Sequence, residues 1–117
     1  MAGIGQLIYP CTKVVDAQTS TGVYWVLGES YQGMAIEWTV YVTFDHTAGA
    51  GAVVLESAPE RNYAGTWVTV GSAISWSAID KAHMLNATGL YQALRIRISS
   101  AVTSGTCDVW VMGANKT

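Results

Sequence analysis

The sequence predicts an all-β domain, an antiparallel sandwich of about seven or eight strands with jelly-roll or immunoglobulin-like connections. Three observations lead there. From Met34 to Phe44 the residues Met34, Ile36, Trp38, Val40, Val42 and Phe44 alternate without a break with Ala35, Glu37, Thr39, Tyr41 and Thr43, the period of two that marks a half-buried strand. Further short runs rich in β-branched and aromatic residues are punctuated by clusters of Gly, Ser, Thr, Asn and Asp, which read as strands and turns. Helical signals are poor: the best window, Ser77 to Leu85, would start one turn at most.

Taken in order, residues 1–12 hold Gly3, Gly5 and Pro10 and read as an N-terminal arm, with residues 13–117 as a single sandwich domain. Lys13 to Asp16 is a weak strand, and Val23 to Leu27 a stronger one after the turn Gln18 to Gly22. A turn over Gly28 to Gly33 leads into the long alternating strand, whose even-numbered face is expected in the core. Ala52 to Ser57 and Trp67 to Val70 flank a polar loop over Ala58 to Gly65, and Asp45 to Gly51 turns into the first of them. His83 to Thr88 is weak, whereas Gln92 to Ser99 and Thr106 to Met112, joined by Ser99 to Gly105, are clear. Long helices between strands, which a βαβ fold needs, are missing.

Composition narrows the function. The 117 residues are 50% hydrophobic and 12% charged, with a net charge of −2, so the charged fraction is about half the ~25% usual for soluble domains. Six Lys and Arg residues against eight Asp and Glu leave no basic stripe for a phosphate backbone, so nucleic acid is not an expected partner. The N-terminal MAGIGQLIYP has no positive leader region and no apolar run nears the ~20 residues of a membrane span, so no targeting or membrane segment is expected.

Chemistry-bearing residues are few, and no catalytic, cofactor or metal site is expected. Asp45-His46 falls in a turn, the serines include no Gly-x-Ser-x-Gly elbow, and Gly49-Ala50-Gly51 is at best a faint phosphate loop. Cys11 and Cys107 lie near opposite ends of the chain, where a disulfide is conceivable, but they read as two reduced, buried thiols acting as small apolar residues, and two ligands do not make a zinc site. Asn86-Ala87-Thr88 matches a glycosylation triplet without a secretory signal to give it meaning.

The informative anomaly is that several strands are apolar on both faces. Val23, Trp25 and Leu27 oppose Tyr24 and Val26, while Cys107, Val109 and Val111 oppose Trp110 and Met112. A two-layer sandwich buries one face of each strand. Five Trp and six Tyr also exceed what one small core holds, and aromatic enrichment with charge depletion is what interface cores show. Arg95 and Arg97 alternate with Leu94, Ile96 and Ile98, placing two guanidinium forks on one face where a neighbouring subunit's carboxylates could meet them. The candidate interface residues are therefore Tyr24, Val26, Arg95, Arg97, Trp110 and Met112. A carbohydrate stacking on exposed aromatics is the rival reading.

Two stretches carry a family likeness. Val53-Val54-Leu55-Glu56-Ser57, a polar loop and Gly65-Thr66-Trp67-Val68-Thr69-Val70-Gly71 form the first. Gly89-Leu90-Tyr91-Gln92-Ala93-Leu94-Arg95-Ile96-Arg97-Ile98, Thr103-Ser104-Gly105-Thr106 and a last strand through Met112 form the second. Together, over Gly51 to Gly113, they resemble small virion structural proteins of tailed bacteriophages. The resemblance implies a capsid decoration (cement) protein on the phage head, made in the host cytoplasm. Such a protein is commonly a homotrimer and binds the major capsid protein. A tail or head-fibre component is the alternative, although no coiled-coil repeat supports a fibre.

Overall fold

The computed structural model describes residues 6–27, 37–79, 81–89 and 92–115. Nine strands and no helix occupy them: β1 (Gln6–Gln18), β2 (Gly22–Leu27), β3 (Glu37–Phe44), β4 (Ala50–Ala58), β5 (Val68–Thr69), β6 (Ile74–Ser75), β7 (Ala82–Thr88), β8 (Ala93–Thr103) and β9 (Cys107–Asn115). They form two antiparallel sheets, one ordered β1-β9-β3-β7 and the other β2-β8-β4-β5, with β6 also on β4. The pairing is nested: first with last, second with next to last, third with seventh, and β4 with β5 and β6. A long hairpin wrapped around one core gives this order, which is that of a jelly roll. An immunoglobulin sandwich instead keeps its first two strands in one sheet, whereas here β1 and β2 lie in different sheets.

β5 pairs with Glu56 and Ser57, and β6 with Ala52 and Val53, along one edge of β4. They behave as a single edge strand interrupted around Gly71, where φ is +72° and a Cβ would sit 2.9 Å from Leu85 Cδ1. Only glycine enters that backbone region without strain, so the interruption has a local cause.

The alternation of the longest run holds through its described part. Trp38, Val40, Val42 and Phe44 are buried, while Met34 and Ile36 lie outside the described residues, as does the expected turn over Gly28 to Gly33. Trp38, Val40, Val42 and Phe44 pack with Val15, Val109 and Val111 against Val53, Leu55, Leu94, Ile96 and Ile98 of the facing sheet. Trp38 pairs across the ladder with Gly113. A Cβ there would lie 2.6 Å from the indole ring, so the glycine makes the room that the large side chain fills.

β1 departs from the expected arm. Its pairing with β9 starts at Gln6↔Asn115, so residues 6–12 are strand; residues 1–5 lie outside the described residues. Four register shifts interrupt this ladder, and such bulges erase the period-two signal. Pro10 is tolerated because β1 is an edge strand, where a missing N–H breaks no inner ladder. The same ladder separates the cysteines: Cys107 lies opposite Gln18, while Cys11 sits between Tyr9 and Thr12, the partners of Gly113 and Val111. Seven residues of strand place them about 20 Å apart, and both are free thiols: Cys107 is buried as expected, whereas Cys11, on the edge strand β1, is exposed.

Candidate functional site

The outer faces of the two sheets differ in what covers them. On the β1-β9-β3-β7 sheet, register aligns Lys13, Trp110, Tyr41 and Met84 in one row across all four strands. Their strand neighbours Val40, Val42, Val109 and Val111 point into the core, so the row points outward. Tyr41 is 37% and Met84 58% exposed, Trp110 is half-buried, and half-buried Met112 extends the patch to the next row, opposite Thr39.

Polar groups flank this patch on two sides. Lys13 Nζ lies 5.3 Å from the Trp110 ring centroid, within cation–π reach. The same ammonium is 3.1 Å from Asp16 and 3.5 Å from Asp108. The hydrogen bond to Asp16 leads the influences that hold Lys13 above its ordinary lysine range. Beyond Met112, Thr39 Oγ1 donates to Asn86 Oδ1 at 2.9 Å. An apolar centre inside a polar rim is the anatomy of a protein interface.

The outer face of the other sheet is already occupied. Arg95 Nε donates to Glu56 Oε1 at 2.8 Å, and Arg97 donates through Nε to Oε1 at 3.1 Å and through Nη2 to Oε2 at 3.0 Å. The carboxylates expected from a neighbouring subunit are thus supplied by one residue of the same chain. Glu56 is only 4% exposed. Burial acts most strongly on its carboxyl, pushing the pKa up, but the hydrogen bonds and charges of Arg97 and Arg95 together outweigh it and hold the group below its ordinary value.

The loop after β4 closes over this triad. Trp67 lies under the Arg95 guanidinium, 4.2 Å from ring centroid to Cζ, and its indole donates to the Tyr63 carbonyl at 3.0 Å. Ala58, Trp67 and Ala93 form a second small core with Val26 against it. This accounts for apolar Val26 in the outer phase of β2: it packs on the small core that the chain's own loop closes.

Of the six residues singled out from sequence, the structure therefore brings Trp110 and Met112 together on the open face. It places Val26, Arg95 and Arg97 on the opposite, loop-covered face. Tyr24 joins neither set. A register shift between Val23 and Trp25 turns it onto the main core, where its hydroxyl donates to the Ser20 carbonyl at 2.6 Å. Tyr41 and Met84 are the members that sequence reasoning missed. Tyr41 sits between Thr39 and Thr43 in the polar phase of its strand, and only the cross-strand register reveals it beside Trp110.

The other sequence features lie in turns and strands. Asp45 and His46 contact each other at 2.8 Å in a turn where the imidazole is 89% exposed, and Asp45 Oδ1 also accepts the Thr47 N–H. Ala50 and Gly51 begin β4, and Asn86 to Thr88 lie in β7. Among the described residues no three His, Cys, Asp or Glu side chains gather as metal ligands, and no helix is long and apolar enough to cross a membrane.

No protein-family model matches the sequence, and no curated protein is significantly similar to it. Solved structures are. The crystal structure of the SPBc2 prophage-derived protein YomS superposes with a TM-score of 0.67 at 10% identity, covering 98% of each chain. A structure of Bacillus endospore appendages, described as a family of disulfide-linked pili, superposes with a TM-score of 0.55 at 12% identity, covering 100% of this chain and 95% of that one. The chain thus shares its whole fold, from β1 to β9, with a prophage-derived protein and a pilus subunit.

Proposed function

We propose that this protein is a non-catalytic structural subunit of a tailed-phage virion, most specifically a capsid decoration protein on the head surface. The observation that carries this reading is the Trp110–Tyr41–Met84 row with Met112, an uncovered apolar patch flanked by polar groups on a sheet whose other side is the core. Burial is its mechanism: removing this patch from water against a neighbour stabilises the contact, and repetition over a symmetric shell multiplies a modest interaction. Closed symmetric assembly also removes a patch that would otherwise promote aggregation. The fold likeness to the prophage-derived protein supports a phage setting, and three-fold closure comes from the resemblance to decoration proteins.

The pilus likeness favours a second reading, a filament subunit. Covalent linkage of the kind named for those pili would have to run through Cys11 here, because Cys107 has no exposed surface. Burial, with a smaller contribution from Asp108, pushes the Cys107 thiol up to about 11. Co-sedimentation separates the readings. Purified protein mixed with capsids of the encoding phage that lack it should pellet to a saturating stoichiometry fixed by capsid symmetry. Absence from the pellet, with filaments forming in the protein alone, would reject the capsid role.

A further inference from the structure

The sheet opposite the Trp110 face carries a second feature. A surface cleft of about 570 Å³ opens between the Pro59 to Trp67 loop and β5, within the ~300–1,000 Å³ range of small-ligand sites. Its lining holds no Lys, Arg, Asp, Glu or His. Pro59, Tyr63 and Val68 supply apolar surface, and Ser57, Thr66 and Thr69 supply hydroxyls. Val68 is 67% and Tyr63 36% exposed, so two apolar groups are held at the cleft in contact with water.

The cleft is pre-organised. The Trp67 indole fixes the Tyr63 carbonyl at 3.0 Å, Tyr63 N–H donates to the Glu60 carbonyl at 3.3 Å, and Trp67 is itself held beneath Arg95. The Tyr63 ring lies over Gly65, where a Cβ would come within 2.6 Å of Tyr63 Cζ. A glycine therefore sets the position of the aromatic plane, and the buried triad anchors the loop that carries it. A site already shaped spends less of its interaction on ordering the loop.

We infer that this cleft binds a neutral hexose unit of a glycan. A lining without charge selects an uncharged ligand, because a carboxylate or ammonium placed there would lose water without gaining a partner. Hydroxyl side chains both donate and accept, which matches the alternating needs of sugar hydroxyls. The Tyr63 ring and Val68 offer the apolar surface on which the C–H face of a pyranose packs. The cleft is lined by β4, β5 and their connecting loop and shares no residue with the Trp110 patch, so this inference does not depend on which partner covers the four-stranded sheet.

The test is amide chemical-shift mapping of the ¹⁵N-labelled full chain during titration with methyl α-glucopyranoside, methyl α-mannopyranoside and methyl β-galactopyranoside, with N-acetylneuraminic acid as the charged comparison. At least one neutral glycoside should shift the Tyr63, Thr66, Val68 and Thr69 amides saturably, and the charged sugar should not. Tyr63→Ala keeps the carbonyl that Trp67 uses and should weaken binding by about tenfold, the upper range of an aromatic contact. Val68→Asp, which puts a charge at the cleft without touching the loop anchor, should abolish it. Three results would each overturn the inference: no response to any neutral glycoside, an unchanged response in both variants, or shifts centred on Trp110 and Tyr41.

Discussion

Replacing Glu56 by alanine removes the carboxylate that two guanidinium groups share. Arg95 and Arg97 are alternate residues of β8, so their charges stand about 7 Å apart. At an effective dielectric of about 20 their mutual repulsion is about 2.4 kcal/mol. Three charge-assisted hydrogen bonds are lost as well. Water moderates both effects, because the Arg95 and Arg97 side chains are 22% and 36% exposed. The cost therefore falls at or just below the low end of the ~3–5 kcal/mol seen when a buried pair is broken, about 2–3 kcal/mol. For 117 residues at about 2.1 cal/mol/K each, the entropy of unfolding makes that about 8–12 °C in Tm.

Calorimetry and urea unfolding at pH 7 measure this directly. The pH dependence gives a second readout. Glu56 has a depressed folded pKa, so its contribution is present above the unfolded carboxylate value of about 4.3 and is lost as pH falls through the lower folded value. The stability gap between wild type and Glu56→Ala should accordingly be constant at neutral pH and narrow below about pH 4. A variant within about 0.5 kcal/mol of wild type at pH 7 would place the triad among surface pairs of little consequence and refute the reasoning.

Two further predictions concern the core. Trp38→Ala should cost about 3–5 kcal/mol by chemical denaturation, as for other large buried truncations; wild-type stability would contradict the register of β3. A thiol-labelling reagent at pH 8 should modify Cys11 and leave Cys107 unreacted until the chain unfolds, and reductant should leave Tm unchanged. Rapid labelling of both thiols in the native state would contradict the placement of Cys107.

Much of the architecture was legible because period-two alternation survives wherever one strand face is wet. Trp38, Val40 and Val42 announce a core face through Thr39, Tyr41 and Thr43 between them. The signal failed where the backbone leaves regular pleating. Bulges in β1 hid a strand of 13 residues, and the bulge after Val23 moved Tyr24 from the outward set to the core. It also failed where a loop covers a second face. Arg95 and Arg97 were recognised as a constellation, but their partner Glu56 lies 39 and 41 residues away, and nothing local marks it. Trp110 and Met112 stand out in the sequence because β9 is apolar in both phases. Tyr41 and Met84 come from different strands, so only the fold brings them beside Trp110.

The most direct test of the proposed docking face is sedimentation of wild type and Trp110→Glu at micromolar concentration. Trp110 is half-buried and outside the core, so the variant should keep its circular dichroism and melting behaviour. The glutamate would be buried unpaired in any contact made through this face. The expected result is a wild-type oligomer, with a trimer as the main species, and a folded monomeric variant. A wild type that sediments as a monomer and fails to bind phage capsids, or a folded variant that assembles as the wild type does, would contradict it.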